Sequence, residues 1–280
     1  MQLIKMTGGL GNQMFIYAFY LQMKKRFPDI RIDLSDMMHY HVHHGYEMNH
    51  VFNLPKDEFC IPQTLKKVLE FLFFKTLIER KLKNPFEQYK QRPLWPLVYY
   101  KGFYQSERYF EEIQDEVRQT FTFNESLINA QSKAMLRQLA TDENSVSIHI
   151  RRGDYLQAKH WATTGCICQL PYYHNAIAEI KQRIKEPHFY VFSDDLEWVK
   201  ENLSLDHATY IDWNTGADSW QDMMLMSHCR NNIICNSTFS WWGAWLNPNP
   251  QKAVVMPEKW FVNTPTPHIF PKGWIKAKIQ

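Results

Sequence analysis

Residues 147–155 read Ser-Ile-His-Ile-Arg-Arg-Gly-Asp-Tyr, an alternating segment that runs directly into two arginines, a glycine and an aspartate. Ile148 and Ile150 alternate with polar residues, and this period of two is typical of a β-strand. Gly153 permits a sharp turn that returns Asp154 to the edge that the strand has just left. In open α/β sheets, ligands bind at that edge. The segment therefore predicts guanidinium groups, which match phosphate oxygens in pairs, at a ligand-binding edge.

Strand and helix patterns alternate regularly after this segment. We predict strands over residues 145–150, 188–193, 207–211, 232–235 and 252–256, and helices over residues 171–185, 195–203, 217–229 and 238–246. Such alternation is typical of a doubly wound parallel sheet. A polar break over residues 141–144 marks a domain boundary, so we expect residues 145–280 to form one Rossmann-like domain.

The N-terminal part predicts a second βαβ arrangement. It contains a strand over residues 2–6, a glycine-bearing turn, a helix over residues 12–27 and a strand over residues 31–34. Between about residue 36 and residue 100 the alternation lapses, with an apolar helix predicted over residues 65–82. We interpret this region as a helical insertion in an N-terminal domain of residues 1–144.

Composition excludes several classes of protein. The 280 residues are 45% apolar, and 32 basic residues nearly balance 29 acidic ones, so a nucleic-acid partner is not expected. The longest apolar run, residues 68–78, carries two charges and is shorter than the roughly 20 residues of a membrane span. Five cysteines, an odd number, and the lack of a secretory pattern at the N-terminus favour a cytoplasmic location.

A second polar cluster, Ser193-Asp194-Asp195, follows the strand predicted over residues 188–193. A serine or aspartate at this position caps the next helix, which explains one of the two acids at most. A carboxylate also accepts two parallel hydrogen bonds from the ring N–H and amino group of guanine. A base-reading or ribose-binding role therefore stays open.

A third cluster leads from a short apolar strand into a helix. Ser237, Thr238 and Ser240 add hydroxyl groups to the N–H groups of the first helical turn, which is a typical anion-binding arrangement. Trp241 and Trp245 share one face of the same helix, and such a pair is more typical of a core than of a sugar-stacking platform.

The segment Gly-Gly-Leu-Gly-Asn-Gln, residues 8–13, joins the first strand to the first helix. Its spacing is not G-x-G-x-x-G, so it does not indicate dinucleotide binding. The glycines allow close approach of a ligand to the backbone, and Asn12 either caps the helix or reaches across a cleft.

Two clusters resemble metal sites only loosely. One loop holds His39, His41, His43, His44 and His50 without a fixed ligand spacing, which we interpret as surface histidines. Cys166 and Cys168 are spaced C-x-C, and zinc binding there is the less favoured alternative.

Together these segments resemble the bacterial α-1,2-fucosyltransferases of glycosyltransferase family 11. The matching segments are residues 8–15, 149–155, 192–195 and 236–246, which follow the family order and span nearly the whole chain. One departure is Ile16, where many members carry glutamine.

The resemblance implies a GT-B fold, in which two Rossmann-like doubly wound α/β domains face a central cleft. It also implies GDP-β-L-fucose as the donor, inversion at the anomeric carbon, and no metal or other cofactor. The clusters and the resemblance together predict these donor-binding residues: His149, Arg151, Arg152, Asp194, Asp195, Asp222, Ser237, Thr238 and Ser240. The residues expected on the acceptor side are Gly9, Gly11, Asn12 and Gln13.

The reaction expected is transfer of fucose to the 2-hydroxyl of a galactose-terminated oligosaccharide or lipid-linked glycan. A lipid-linked acceptor would make peripheral contact with the inner face of the cell membrane useful. Arg151 is expected to stabilise the departing diphosphate, and Asp154 is the candidate base, with the leaving phosphate as the alternative proton acceptor. Other open interpretations are a fucosyltransferase of different linkage, a non-catalytic glycan-binding protein, and an adhesion module that uses Arg152-Gly153-Asp154. The oligomeric state is left open.

Overall fold

The computed structural model describes residues 2–37, 44–54, 58–60, 62, 66, 68, 74–91 and 95–280. The chain divides into two compact units, Met1–Asn124 and Glu125–Gln280. This division lies before the predicted boundary at residue 144, because the helix Ala130–Leu139 packs on the helix Trp220–His228 of the second unit.

The first unit is built on a parallel sheet. Its strands are β1 (Gln2–Lys5), β2 (Ile30–Asp33), β3 (Glu58–Phe59), β4 (Lys75–Ile78) and β5 (Val98–Lys101), in the order β3-β2-β1-β5-β4. Its described helices are α1 (Leu10–Arg26), α2 (Met48–Val51), α3 (Pro85–Gln88) and α4 (Gln114–Thr120), with 3₁₀ turns at Glu79–Lys81, Glu107–Tyr109 and Glu111–Ile113. Every pairing between the described strands of this unit is parallel. The strand order reverses between β1 and β5, and ligands of such sheets bind at the carboxyl ends of the strands beside the reversal.

Helix α1 begins at Leu10, slightly before its predicted start, and is buried on most sides. Its last turn contains Lys24, Lys25 and Arg26, whose positive charges interact favourably with the helix dipole. Pro28 follows and disfavours continuation of the helix. Across the described residues, α1 included, no helix has both the length and the apolar character needed to cross a membrane.

The helix predicted over residues 65–82 is wrong for its C-terminal part. Residues 75–78 form β4 and residues 79–81 form a 3₁₀ turn, whereas residues 69–73 lie outside the described residues. Strand β5 also falls in the region that was predicted as a helical insertion. Short apolar runs fit either period, and here the pairing of β4 with β5, and of β5 with β1, determines the structure.

The second unit holds a larger parallel sheet. Its strands are β6 (Ser145–Ile150), β7 (His188–Ser193), β8 (Ala208–Ile211), β9 (Asn231–Ile233), β10 (Val254–Pro257) and β11 (Ile275–Ala277), in the order β11-β10-β9-β6-β7-β8. Its described helices are α5 (Ala130–Leu139), α6 (Ala158–His160), α7 (Leu170–Lys181), α8 (Leu196–Asn202), α9 (Trp220–His228) and α10 (Thr238–Leu246). A π-helical turn lies at Trp161–Gly165, and 3₁₀ turns lie at Glu125–Leu127, Gly153–Leu156, Gly216–Asp218 and Pro267–Ile269. The strands and helices predicted for residues 145–257 are confirmed, with ends that differ by a few residues.

The central strand β6 explains why this sheet positions side chains rigidly. All six of its residues are buried, because β6 lies between β7 and β9 and both faces of the sheet are covered. Val146, Ile148 and Phe189 belong to one apolar cluster. The side chains that follow β6 therefore emerge from a closely packed support.

Candidate active site

Three polar segments meet at one edge of the second sheet. They follow β6 (Arg151–Asp154), β7 (Asp194 and Asp195) and β9 (Cys235–Ser240), which are adjacent parallel strands. The strand order reverses between β6 and β9, and this is the position at which Rossmann-like sheets bind ligands. The sequence clusters predicted to bind the donor are thus brought together by strand order.

Arg151 is held at this edge by two carboxylates. Oδ1 of Asp154 lies 2.7 Å from Nη2 and 2.9 Å from Nε of Arg151, and Oδ2 of Asp194 lies 3.2 Å from Nη1. Burial opposes the positive charge, but attraction by Asp194 and Asp154 outweighs it and raises the pKa of Arg151. A guanidinium has five N–H donors, and these contacts use three, so one N–H on each terminal nitrogen is left for a ligand. Two N–H donors on neighbouring nitrogens form the fork with which a guanidinium recognises phosphate.

Gly153 is required by the position of Asp194. A Cβ atom at residue 153 would lie 2.5 Å from Oδ2 of Asp194, well inside contact distance. The other oxygen of this carboxylate, Oδ1, accepts a hydrogen bond of 2.8 Å from the backbone N–H of Arg152. The missing side chain of Gly153 therefore lets Asp194 reach both arginines.

Arg152 is used within the protein. Its guanidinium carbon lies 3.5 Å from the ring centroid of Trp198, and its Nε donates to Oδ2 of Asp195 at 2.9 Å. Asp195 also caps α8, since its Oδ1 accepts from the backbone N–H of Trp198 at 3.3 Å. The capping interpretation thus explains one of the two acids, as expected. Arg152 is placed as a positioning residue, and its direct contact with a donor stays a prediction.

These contacts also bear on the adhesion interpretation. Both charged side chains of Arg152-Gly153-Asp154 are paired inside the protein, Arg152 with Asp195 and Asp154 with Arg151.

In the cluster as a whole, two guanidinium groups face three carboxylates. Affinity for an anion here must come from directed N–H donors rather than from net charge.

His149 lies beside the exit of β9. Its Nδ1 is 3.3 Å from Sγ of Cys235, and the backbone N–H of Arg151 also bonds to this sulfur. Burial, with a smaller contribution from Arg151, lowers the pKa of His149 to about 3, and burial raises the pKa of Cys235 to about 12. The imidazole and the thiol are therefore both neutral at physiological pH. His149 can serve as a hydrogen-bonding group but not as a cation.

The N-terminus of α10 supplies the third side of the site. Ser237 caps the helix by accepting from the backbone N–H of Phe239 at 3.3 Å, and Ser240 donates to the carbonyl oxygen of Ser237 at 3.3 Å. The half-buried hydroxyl of Thr238 makes no hydrogen bond within the described part of the chain. Ser237 uses its oxygen as an acceptor and keeps its O–H donor, so Ser237 and Thr238 both have a hydroxyl donor available to an anion at this helix end.

Trp241 and Trp245 are core residues. They are 0% and 3% exposed, and their rings stack with centroids 6.2 Å apart. The prediction that this pair packs inside the domain is confirmed.

The loop after Arg151 is fastened to the segment before α10. The hydroxyl of Tyr155 donates to the carbonyl oxygen of Asn236 at 3.0 Å, and the side chain of Asn236 donates to the carbonyl oxygen of Thr164 at 3.0 Å. The chain between Arg151 and Thr164 therefore bridges the ends of β6 and β9.

Asp222 lies in a buried polar network at the start of α9. Its Oδ1 accepts from Nδ2 of Asn214 at 2.9 Å, and Oδ1 of Asn214 accepts from Asn129 at 2.8 Å and from Ser132 at 3.0 Å. Burial raises the pKa of Asp222 from 3.8 to about 7. Its contact with a guanine base stays a prediction.

This raised pKa predicts a pH-dependent stability. The unfolded chain releases the proton of Asp222 near pH 3.8, whereas the folded protein holds it to about pH 7. The contribution of Asp222 to the free energy of unfolding is therefore present below about pH 4 and is lost as the pH rises through about 7. Asparagine does not titrate, so the Tm of Asp222→Asn minus that of wild type should be more positive at about pH 8 than at about pH 4. Thermal unfolding scans at both pH values measure this gain.

The exposed Asp212 provides the control, because Asp212→Asn removes a carboxylate from the same unit without touching the network. A constant difference in Tm between Asp222→Asn and wild type across this range would contradict a raised pKa.

In the first unit, the glycine-rich segment lies at the reversal between β1 and β5. Gly9 precedes α1 and Gly11 is buried within it. Gln13 is fully buried: its Nε2 donates to the carbonyl oxygens of Gly8 and Gly45 at 2.9 and 2.7 Å, and its Oε1 accepts from the N–H of Glu47 at 3.0 Å. Gln13 therefore holds the segment in place, and its contact with an acceptor stays a prediction.

Asn12 does not cap α1. The carboxylate of Glu47 accepts from the backbone N–H of Leu10, and burial raises the pKa of Glu47 to about 7. Asn12 is half-buried and its Oδ1 accepts from Nε2 of Gln105 at 2.7 Å.

Sequence reasoning missed several residues that shape these two sites. Cys235 and Tyr155 lie inside or beside quoted motifs, so proximity to the motifs could have indicated them. Asn214 and Glu47 carry no local signal, because their roles depend on contacts across the fold. Gln105 follows β5, and recognition of that strand would have placed it at the sheet edge.

Two clusters of the sequence resemble metal sites loosely. Among the described residues, no three His, Cys, Asp or Glu side chains are grouped as metal ligands, and this includes Cys166 and Cys168. His44 and His50 are not part of such a group either, whereas His39, His41 and His43 lie outside the described residues.

Comparison with known proteins relates this geometry to a family. The family model described as Glycosyl transferase family 11 matches residues 1–278. An alpha-1,2-colitosyltransferase of Escherichia coli is 33% identical over 98% of this chain and 98% of its own length. Galactoside alpha-(1,2)-fucosyltransferase 1 of Homo sapiens is 30% identical over 54% of this chain and 43% of its own length.

A solved structure supports the fold. The fucosyltransferase NodZ from Bradyrhizobium matches with a TM-score of 0.56 and 14% identity, over 88% of this chain and 92% of that chain. The predicted α/β, GT-B-like fold class and the predicted family resemblance are both confirmed. The chain belongs to glycosyltransferase family 11 and is a glycosyltransferase.

Proposed function

We propose that this enzyme is an inverting, metal-independent α-1,2-fucosyltransferase. It moves L-fucose from GDP-β-L-fucose to the 2-hydroxyl of a galactose residue at the end of an oligosaccharide or lipid-linked glycan. The family and the human relative named for α-(1,2) transfer support the linkage and the sugar.

One observation carries the proposal. Arg151 stands at the reversal of the second sheet with its guanidinium braced by Asp154 and Asp194, and one N–H on each terminal nitrogen is left for a ligand. A nucleotide diphosphate matches this fork, because its oxygens accept parallel hydrogen bonds. Recognition of the guanine by Asp222, and contact of His149 with the donor, belong to the same proposal.

The chemistry follows from where charge develops. As the bond between the sugar and the diphosphate breaks, positive charge grows on the ring and negative charge grows on the departing phosphate. Arg151 and the first turn of α10, with the hydroxyl of Thr238, donate to that phosphate. Donors that are fixed before the reaction stabilise the transition state without reorganisation, and each is typically worth about 3 kcal/mol.

The proton of the acceptor hydroxyl needs a destination. Both contacts of Asp154 with Arg151 use its Oδ1, which lies 2.7 Å from Nη2 and 2.9 Å from Nε. Asp154 is therefore the proposed base, since these contacts leave its Oδ2 for the acceptor proton, and it also orients Arg151. The leaving phosphate is the alternative proton acceptor.

A second donor is favoured by one observation. The relative with 33% identity over nearly the whole chain is named for transfer of colitose, which is fucose without its 3-hydroxyl. Both sugars present the same 6-methyl group and the same anomeric carbon to the site. An α-1,2-colitosyltransferase is therefore the second candidate.

The decisive experiment uses the purified full-length enzyme with two donors and a panel of galactosides. GDP-L-fucose and GDP-L-colitose are offered separately with galactosides of defined linkage, and each product is mapped by NMR. We expect fucose transfer to the 2-hydroxyl, at an unchanged rate in excess EDTA.

Three results would contradict parts of this proposal. A product linked through another hydroxyl would overturn the linkage, and a strong preference for GDP-L-colitose would favour the second candidate. Loss of activity in EDTA that added zinc or magnesium restores would overturn metal independence.

The proposal includes a cytoplasmic location with peripheral contact at the inner face of the membrane. All five cysteines are free thiols, which is typical of a reducing compartment. Residues 71–73 of the apolar run lie outside the described residues.

A further inference from the structure

The first unit carries a polar pair that the proposed donor chemistry does not use. Nε2 of Gln105 donates to Oδ1 of Asn12 at 2.7 Å, and both side chains are half-buried. Asn12 lies in the first turn of α1, which follows β1, and Gln105 lies just after β5. The two strands are neighbours, and the strand order reverses between them. The pair therefore occupies the ligand-binding position of a parallel sheet.

The pair is aligned by packing along one face of α1. Asn12 and Phe19 are separated by two helical turns, so they share a face. Phe19 stacks on Tyr104 with ring centroids 3.8 Å apart, and Gln105 is the next residue. The segment after β5 thus runs along α1 and delivers Gln105 to Asn12.

Glu79 holds this segment in an unusual conformation. Its Oε2 accepts from the backbone N–H groups of Phe103 and Tyr104, both at 2.9 Å. Tyr104 has a φ of 52°, in the left-handed region that is unfavourable for a residue with a large side chain. A Cβ atom on Gly102 would lie 2.5 Å from the same carboxylate oxygen. Backbone strain maintained by several contacts is frequent at ligand-binding sites.

The chemistry of the pair defines its ligand. When two carboxamides share one hydrogen bond, one NH₂ group and one carbonyl oxygen remain for other partners. Within the part of the chain that the structure describes, neither the side chain of Asn12 nor that of Gln105 makes a further hydrogen bond. A hydroxyl group both donates and accepts, so it can satisfy the remaining carbonyl oxygen and NH₂ group together.

We infer that Gln105, together with Asn12, binds a non-reacting hydroxyl of the acceptor sugar and so determines acceptor affinity. Glu79 and the strained Tyr104 act as positioning residues that keep Gln105 on Asn12. This inference rests on the proposed function, because it assumes a sugar acceptor.

The experiment compares Gln105→Leu and Asn12→Ala with wild type, using phenyl β-D-galactoside and its 3-, 4- and 6-deoxy derivatives with GDP-L-fucose. Gln119→Leu, in the exposed part of α4, is the matched control. We expect the KM for phenyl β-D-galactoside to rise about 10-fold or more in both site variants, since each loses a hydrogen bond to the sugar. The KM for GDP-L-fucose and the Tm should stay close to the wild-type values.

The deoxy acceptors distinguish binding from a structural role. One deoxy acceptor should have a higher KM than phenyl β-D-galactoside with wild type, because it lacks the hydroxyl that Gln105 contacts. For that acceptor, Gln105→Leu should raise the KM little further, because the contact is already absent. The milder variant Gln105→Glu provides the same comparison if Gln105→Leu is poorly folded.

The outcomes separate this inference from the proposed function. No product from any galactoside by the wild-type enzyme, with either GDP-L-fucose or GDP-L-colitose, overturns both. Normal turnover by wild type, with an unchanged acceptor KM in Gln105→Leu, overturns this inference alone. A Gln105→Leu penalty that is equal for all deoxy acceptors also overturns it.

Discussion

Arg151→Lys is expected to lower kcat by about 100-fold or more with the fold intact. Lysine keeps the positive charge but replaces the planar fork with a single ammonium group. That group cannot contact Asp154 and Asp194 as Arg151 does, at 2.7 and 3.2 Å, and also present two parallel N–H donors to a phosphate. Steady-state kinetics with GDP-L-fucose at saturating acceptor, together with circular dichroism, measures the effect.

Arg183→Lys is the matched control for this prediction. Arg183 is exposed and pairs with Glu179 at 2.8 Å on a helix surface, where exchange for lysine costs little. A kcat of Arg151→Lys near that of Arg183→Lys would contradict the assigned role of the guanidinium fork.

Gly153→Ala is expected to lower kcat/KM by about 10- to 100-fold, although it adds a single methyl group. The new Cβ atom would lie 2.5 Å from Oδ2 of Asp194, so the carboxylate must move. Its displacement would weaken the contact with Arg151 at 3.2 Å and the hydrogen bond from the N–H of Arg152 at 2.8 Å. The guanidinium would then lose one of its two braces.

A double-mutant cycle tests this explanation. In an Asp194→Ala background the methyl group has no carboxylate to displace, so Gly153→Ala should add almost nothing to the loss of activity. Full additivity of the two substitutions would contradict the proposed clash.

Gly216→Ala is the control for Gly153→Ala, because it is expected to change the stability of the protein and not its activity. No atom lies within 4 Å of a Cβ at this position, but its φ of 58° is unfavourable for alanine. We expect Gly216→Ala to have a lower Tm and unchanged kinetics. Gly153→Ala should instead have a nearly unchanged Tm and a lower kcat/KM.

Residues 145–257 show how far local pattern extends. Their strands and helices follow from periodicity, because each strand is a short apolar run between turn residues and each helix has an apolar face. The motifs at Arg151, Asp194 and Ser237 each follow a strand, and parallel strands place their carboxyl ends at one edge. The position of these groups at one edge was therefore predictable from the sequence, whereas the strand order decides that β9, β6 and β7 are neighbours there.

The first unit shows where local pattern fails. Strand β4 lies in a segment with an apolar run that also fits a helix, and β5 follows a proline-rich stretch. Their identity depends on pairing with each other and with β1, and a sequence window does not contain the partner strand. Gln105 was missed for this reason.

The sequence by itself determined the family, the alternation of strands and helices in the second unit, and the presence of arginines, acids and hydroxyl groups at strand ends. Only the tertiary structure decided how these groups are paired. It braces Arg151 with Asp154 and Asp194, stacks Arg152 on Trp198, and joins Asn12 to Gln105. The physical reason is that periodicity reflects the environment of each residue along its own element, whereas hydrogen bonds and ion pairs depend on which elements become neighbours and at which register.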